Sequence, residues 1–233
     1  MNRLLTIAGI CAAICFCTSF ETSLFKKEKW KNLFDGKTTQ GWHMYGKDYV
    51  GSCWQVEDGV LHLLPVRDRK QTGDLVTNEE FENFQLKLDW KVAPKSNSGI
   101  IFLVNEDTTK YRQTYVTGLE MQILDNKDAE DNKKENHLAG SLYDLIGTAA
   151  DSKANPAGEW NSCEISLDKG KLKMSINGHR IVSTTLWDEN WKQLIANSKF
   201  KTMPGFGAYK KGRIALQYHG GEVWFRNIKV KKL

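Results

Sequence analysis

No part of this 233-residue sequence is apolar for long enough to cross a bilayer, which takes about 20 consecutive apolar residues. The sequence has no Gly-Lys-Ser/Thr phosphate loop, no His-Glu-x-x-His and no Gly-x-Ser-x-Gly, so those signatures of phosphate binding, zinc peptidases and serine hydrolases are missing. Blocks of like charge are missing too. The formal charge of +5 is spread over Lys and Arg interleaved with Asp and Glu, and the basic tail Lys229-Val-Lys231-Lys232 alternates as an edge strand would. Nucleic acid is therefore not an expected partner. There is no internal repeat, low-complexity tract or linker to divide the chain.

Cysteine is scarce where it would matter. Of five, Cys11, Cys15 and Cys17 fall in the first twenty residues, where a basic start (Asn2, Arg3), an apolar run from Leu4 to Phe16 and small Thr18 and Ser19 read as a secretory signal peptide over residues 1–20. Ile10, Ile14 and Phe16 precede those cysteines where a lipid-carrying cysteine would normally follow a small residue, so a lipid anchor finds weak support. A periplasmic or secreted protein without a transmembrane span is the expectation. Cys53 and Cys163 remain, and both sit inside apolar strand patterns that favour two buried thiols over one bridge. Neither has metal-ligand spacing, which argues against a zinc site.

The remaining chain, residues 25–233, reads as a single domain with period-two alternation, the mark of half-buried strands. Phe84, Leu86, Leu88, Trp90 and Val92 share one face of a long strand, with Gln85, Lys87, Asp89 and Lys91 on the other. Asn177-Gly178 between Leu172–Ile176 and His179–Val182 predicts a type I′ hairpin, and Glu57-Asp-Gly59 a second. Further strands are expected at Ser98–Val104, Gly118–Leu124, Trp160–Leu167, Arg213–His219 and Val223–Val230. Together they predict an all-β fold of two packed antiparallel sheets with few short helices. Two stretches break the rhythm, Asp125–Gly158 and Trp187–Gly207. Connections of that length in a compact β domain are usually functional or disordered.

Chemistry-bearing residues gather on a few strands. Alternation puts Met121 and Ile123 towards the core and Glu120 and Gln122 on the opposite face, with Asp125 in reach only through a bulge or the strand's end. Such a face can hold a sugar, coordinate a cation or move protons, or it can be an ordinary solvated face. Gln217 and His219 share a face in the same way, and Gly220-Gly221 would let a ligand approach the backbone. His137, in the polar stretch, is a second histidine of interest. Trp54, Trp90 and Trp160 lie within strand patterns and are expected in the core, whereas Tyr111, Tyr115, Tyr143, Trp187 and Trp191 are candidates for stacking on sugar rings. Arg112, beside Tyr111, is a candidate substrate contact.

With these segments in view, the sequence resembles the 3-keto-disaccharide hydrolase domain family. The resemblance is carried in order by Leu33-Phe34-Asp35-Gly36 with Gly41-Trp42, Trp54-Gln-Val-Glu-Asp-Gly59-Val-Leu61, Asn97-Ser98-Gly99-Ile100, Gly118-Leu-Glu120-Met-Gln122-Ile-Leu-Asp125, Ala139-Gly140-Ser-Leu-Tyr143-Asp144, Gly158-Glu159-Trp160-Asn161, Asn177-Gly178 and Phe225-Arg226-Asn227-Ile228. It implies a concanavalin A-like jelly roll, a secreted protein, and a 3-keto-glucoside or 3-keto-disaccharide substrate made by a separate sugar 3-dehydrogenase. A ketone at C3 acidifies the C2 proton, so a base can remove it, the C1 oxygen is expelled, and water adds to the enone. That route needs a base, for which Glu120 or His137 is expected, and groups for the oxygens, for which Gln122, His219 or Tyr143 are expected. Asp125, Asn97, Tyr111, Arg112, Gln217 and Trp191 are the expected substrate contacts. A divalent cation on Glu120 and Asp125 is a variant of the same chemistry. Jelly-roll glucanases carry a Glu-x-Asp-x-x-Glu-like strand, and here the middle position is the amide of Gln122, which counts against two-carboxyl glycoside hydrolysis. The competing readings are that conventional glycosidase, a carbohydrate-binding module, and a structural envelope protein.

Overall fold

A computed structural model describes residues 29–148 and 152–233. The expected leader over residues 1–20, with its three cysteines, lies outside the described residues. In chain order the first strands are β1 (Lys31–Asn32), β2 (Trp42–Met44), β3 (Trp54–Glu57), β4 (Val60–Leu63), β5 (Leu75–Thr77) and β6 (Phe84–Val92). There follow β7 (Asn97–Val104), β8 (Leu119–Leu124), β9 (Asn161–Asp168), β10 (Lys171–Ile176), β11 (His179–Thr185), β12 (Arg213–Leu216) and β13 (Val223–Lys232). One sheet runs β11-β10-β9-β6-β13-β4-β3, with β1 on β13, and the other runs β2-β5-β12-β7-β8. Every pairing is antiparallel. The expected two-sheet, jelly-roll-type sandwich is what forms. Among the described residues no helix is long and apolar enough to cross a membrane.

The alternation in β6 builds the sandwich. Phe84, Leu86, Leu88, Trp90 and Val92 are all at most 2% exposed and meet Ile100, Phe102, Met121 and Ile123 of the facing sheet in one core. Burying each such side chain contributes about 1.5–3 kcal/mol. Register is fixed by tight hairpins: Asn177 (φ 49°) and Gly178 (φ 80°) link Ile176 to its partner His179, and Asp58 (φ 49°) and Gly59 (φ 78°) link Glu57 to Val60. Those are the two turns the sequence predicts, because both central residues of a type I′ turn need positive φ. A third, at Lys169-Gly170 between β9 and β10, has the same signs.

Cys53 and Cys163 are buried and unpaired, as expected, and burial raises the pKa of both thiols, that of Cys53 to about 11. Trp54 and Trp90 are core residues, but Trp160 is not. It sits just before β9 on the outer surface, with the Arg226 guanidinium 3.9 Å from its ring centre. Parity explains this: Asn161, one residue on, takes the inward position opposite Trp90. The strand expected over Arg213–His219 ends at Leu216; Gln217 still donates its N–H to Gly99 O of β7, and Tyr218 leaves the sheet to donate to Asp74.

Candidate active site

The outer face of the five-stranded sheet carries the site. Glu120 on β8 stands opposite Ile101 of β7, and Gln122 opposite Gly99. A β-carbon at position 99 would overlap the Glu120 carboxyl, so the absent side chain of Gly99 is what lets that carboxyl lie down on the sheet. Gln122 donates through its side-chain amide to Ser98 O (2.8 Å) and Glu120 Oε1 (3.2 Å). Gln217, just beyond β12, also hydrogen-bonds the Glu120 carboxyl; its backbone N–H donates to Gly99 O (2.9 Å) and its carbonyl accepts from Ser98 Oγ (2.8 Å). The Asn97-Ser98-Gly99 strand entry thus seats both glutamines and the glutamate between them.

The two long connections form the walls. Residues 139–143 pair with the open edge of β8: Gly140 N donates to Gln122 O, Gln122 N to Ser141 O, and Tyr143 N to Glu120 O. Gly140 (φ 91°) is required there, since a β-carbon would press on Ile176 Cδ1. The hydroxyl of Tyr143 donates to Asp131 Oδ2 (2.8 Å), whose other oxygen pairs with His137 Nδ1 (2.7 Å), while His137 Nε2 pairs with Asp144 Oδ1 (2.8 Å). The opposite wall contains a helix the strand pattern did not show, α1 (Glu189–Ala196), capped by Asp188 Oδ1 accepting from Trp191 N. A 3-10 turn at Lys199–Thr202 follows, with Ser198 as its cap. It carries Lys199 to a point 4.0 Å above the Tyr143 ring.

Between these walls lies a cavity of about 330 Å³ lined by Asn97, Tyr115, Glu120, Gln122, Asp131, Tyr143, Lys199, Phe200, Met203, Gln217 and His219. Glu120 is 8% exposed. Desolvation is the main reason its pKa is pushed up to about 8; nearby Asp74 and Asp131 add to the rise, and Lys199 and the Gln217 bond oppose it. Burial also raises the Tyr143 phenol, helped by its bond to Asp131, so it stays a neutral donor. Asp144 moves the other way: burial works against ionisation, but the His137 bond and Lys199 hold it below the usual carboxylate range. Asp74, which accepts from Thr114 Oγ1 and Tyr218 N, is raised by burial against those bonds and the nearby His219. Two acceptors in this region, Asn97 Oδ1 and Gln217 Oε1, are buried without a partner. Orphan acceptors in a cavity wall are positions where a ligand hydroxyl would be welcome.

Of the residues expected from the sequence, Glu120, Gln122, Asn97, Tyr143, Gln217 and His219 converge on the cavity. Arg112 lines an adjoining hollow. Four others do not converge on it. Asp125 uses both oxygens to accept from Lys95 N (2.8 Å) and Lys127 N (3.1 Å), which makes it a turn-forming residue out of register with Glu120. The Glu120–Asp125 cation pair is therefore not assembled, and among the described residues no group of three or more His, Cys, Asp or Glu side chains is arranged to hold a metal ion. His137 is 7% exposed with both ring nitrogens committed to aspartates, so it holds Asp131 and Asp144 in place and is not free to act as base. Trp191 is a core residue packed over Gly207 and so is not available to stack on a sugar. Tyr111 bonds Tyr209 hydroxyl to hydroxyl (2.7 Å) and packs on Gly205 outside the cavity. Gly221 leaves room for Ser96 rather than for a ligand.

Sequence reasoning missed Asp131, Lys199 and Asp74. Asp131 sits in a polar run from Lys127 to Glu135 that offers no spacing signal, and Lys199 is one of 33 basic residues. Only the tertiary placement of the long connections distinguishes them.

The chain is similar to several known proteins. Residues 29–231 match the family model described as a 3-keto-alpha-glucoside-1,2-lyase-like domain. A protein of Bacteroides thetaiotaomicron named 3-keto-disaccharide hydrolase is 38% identical over 225 residues, covering 86% of this chain and 77% of that protein. A crystal structure from Parabacteroides distasonis, provisionally described as a glycosyl hydrolase, superposes with a TM-score of 0.80 at 33% identity, over 88% of this chain and 94% of that one. A second structure from the same organism, described in the same terms, gives 0.66 at 27% identity over 88% and 100%. With its model matched over nearly all the described residues and a relative this similar, the chain belongs to the 3-keto-alpha-glucoside-1,2-lyase-like domain family.

Proposed function

We propose that the protein is a hydrolase that cleaves the glycosidic bond of 3-keto-glucosides or 3-keto-disaccharides, by proton abstraction at C2, elimination and hydration, with Glu120 as the base. The observation that carries this is a single desolvated carboxyl, pKa about 8, on the floor of a cavity with acceptors left over for sugar hydroxyls. A base is most effective when its pKa lies near the working pH. The name of the Bacteroides relative supports the substrate class, and the family's description as a 1,2-lyase supports elimination across C1 and C2.

Glu120 takes the C2 proton, and the electron pair left behind spreads onto the C3 oxygen. The Lys199 ammonium is the positive charge beside that developing enolate. Collapse of the enolate breaks the C1–O bond, and the departing oxygen receives a proton that the His219 imidazole at the rim relays from a water molecule. The hydroxide left behind adds to C1 of the enone as Glu120 returns its proton to C2, so the net change is hydrolysis. Gln122 and Gln217 fix the Glu120 carboxyl, and the Asp131–His137–Asp144 chain fixes Tyr143. A separate dehydrogenase that oxidises C3 must act first, and the expected export leader would place the reaction outside the cytoplasm.

The test offers a 3-keto-glucoside and the matching unoxidised glycoside, follows release of the aglycone, and records exchange of the C2 proton with deuterated solvent. Cleavage and exchange of the keto-sugar alone, both abolished in Glu120→Gln, is the expected result. Equal cleavage of both substrates would refute elimination in favour of ordinary glycoside hydrolysis, and cleavage of neither would refute the enzyme reading.

A further inference from the structure

Beside the Glu120 cavity lies a second hollow of about 500 Å³, and the two share Tyr115, Gln217 and His219 as lining residues. Each falls within the size range of small-molecule sites, about 300–1,000 Å³. Their linings differ in chemistry. Phe200, Met203 and the Tyr143 ring line the first, whereas Asp74, Arg112, Gln113 and Thr72 give the second a carboxyl, a guanidinium, an amide and a hydroxyl. Arg112 is exposed and has no ion pair among the described residues, so its five N–H donors are available. Tyr115, 37% exposed, stands where the hollows meet, on the Thr114–Val116 turn that Asp74 anchors through Thr114 Oγ1. The orphan Gln217 Oε1 lies at the same junction.

We propose that the second hollow binds the leaving group of the substrate and selects a hydroxylated sugar ring there, with Arg112 and Gln113 as specificity residues. This rests on the reading of the Glu120 cavity as the place where the keto ring reacts. With that ring against Glu120, the glycosidic oxygen falls at the junction beside His219, and what lies beyond it enters the polar hollow. A ring with hydroxyls on every side can use donors and acceptors in the same space, and Tyr115 offers it an aromatic face.

The test compares kcat/KM for a 3-keto-disaccharide and for the methyl 3-keto-glucoside of the same anomer, in wild type, Arg112→Ala and Gln113→Ala. The sugar alkoxide is the better leaving group of the two, so the deciding quantity is the change that each variant causes on each substrate, in which that difference cancels. Wild type is expected to favour the disaccharide at least tenfold. Arg112→Ala should lose at least tenfold on the disaccharide and less than twofold on the methyl glucoside, and Gln113→Ala should change in the same direction by less. Cleavage of both substrates with equal loss in Arg112→Ala, or with no loss, overturns the leaving-group site and leaves the reading of Glu120 standing. Cleavage of neither by wild type overturns both.

Discussion

Replacing Glu120 by Gln should abolish turnover and at the same time stabilise the protein, by an amount that depends on pH. The folded-state pKa of Glu120 is about 8 against an ordinary value of 4.5. Below pH 4.5 the carboxyl is neutral whether the chain is folded or not, and it affects stability no differently from an amide. Between pH 4.5 and 8 the unfolded chain is ionised while the folded one keeps its proton. Unfolding then releases a proton, and stability falls by about 1.4 kcal/mol per pH unit. The penalty is about 3 kcal/mol at pH 7 and levels off near 5 kcal/mol above pH 8. Glutamine removes the titration and keeps the shape. Gln217 donates to the carboxyl in the wild type, and in the variant it can turn its amide to accept from the new N–H groups through Oε1, which is buried without a partner. Thermal unfolding of both proteins at pH 4.5, 7 and 8.5 should show melting points that coincide at the lowest pH and separate by about 6–12 °C at pH 7. Parallel stability curves, or a variant less stable than wild type at pH 8.5, would show that the carboxyl is not desolvated as the fold requires.

Three further outcomes follow from the same geometry. The kcat/KM for the keto-sugar should rise about tenfold per pH unit and level off near pH 8, and Lys199→Met should move that limb to higher pH, because Lys199 is a charge that holds the Glu120 pKa down; an unmoved limb would remove Lys199 from the base's surroundings. Gly99→Ala should cost at least 100-fold in kcat/KM and about 1–3 kcal/mol of stability by displacing the Glu120 carboxyl, whereas full activity would mean that the carboxyl need not lie on the sheet. Cys53 and Cys163 should resist thiol reagents until the protein unfolds, and labelling in the native state would contradict their burial.

How much of this was legible in the sequence depends on the range of the interaction concerned. Alternation along a strand is set by the backbone itself, so the β6 face, the two predicted hairpins and the outward direction of Glu120 and Gln122 could all be read from spacing. Parity ceases to inform where a strand ends. Asp125 lies one residue past β8, and what fixes its carboxylate is the N–H of Lys95, thirty residues away. The histidines show the same limit. Glu120 or His137 is the base that the resemblance asks for, but Asp131 and Asp144 lie six and seven residues from His137 and close on both its nitrogens. The α1 helix was hidden by aromatic residues that suggested sugar stacking, although Asp188 three residues before Trp191 is a helix-capping signal. The walls therefore owe their chemistry to contacts that alternation does not encode. That separates two demands on the fold. The sheet had to supply a carboxyl in a dry place, and a two-residue period with a glycine opposite suffices for that. The connections had to supply a cation and a held phenol above it, and those depend on the edge of β8 being left open for residues 139–143 to occupy. A sandwich with a further strand on that edge would keep Glu120 and lose Tyr143 from its side, so the open edge of the smaller sheet is as much a part of the site as the residues on its face.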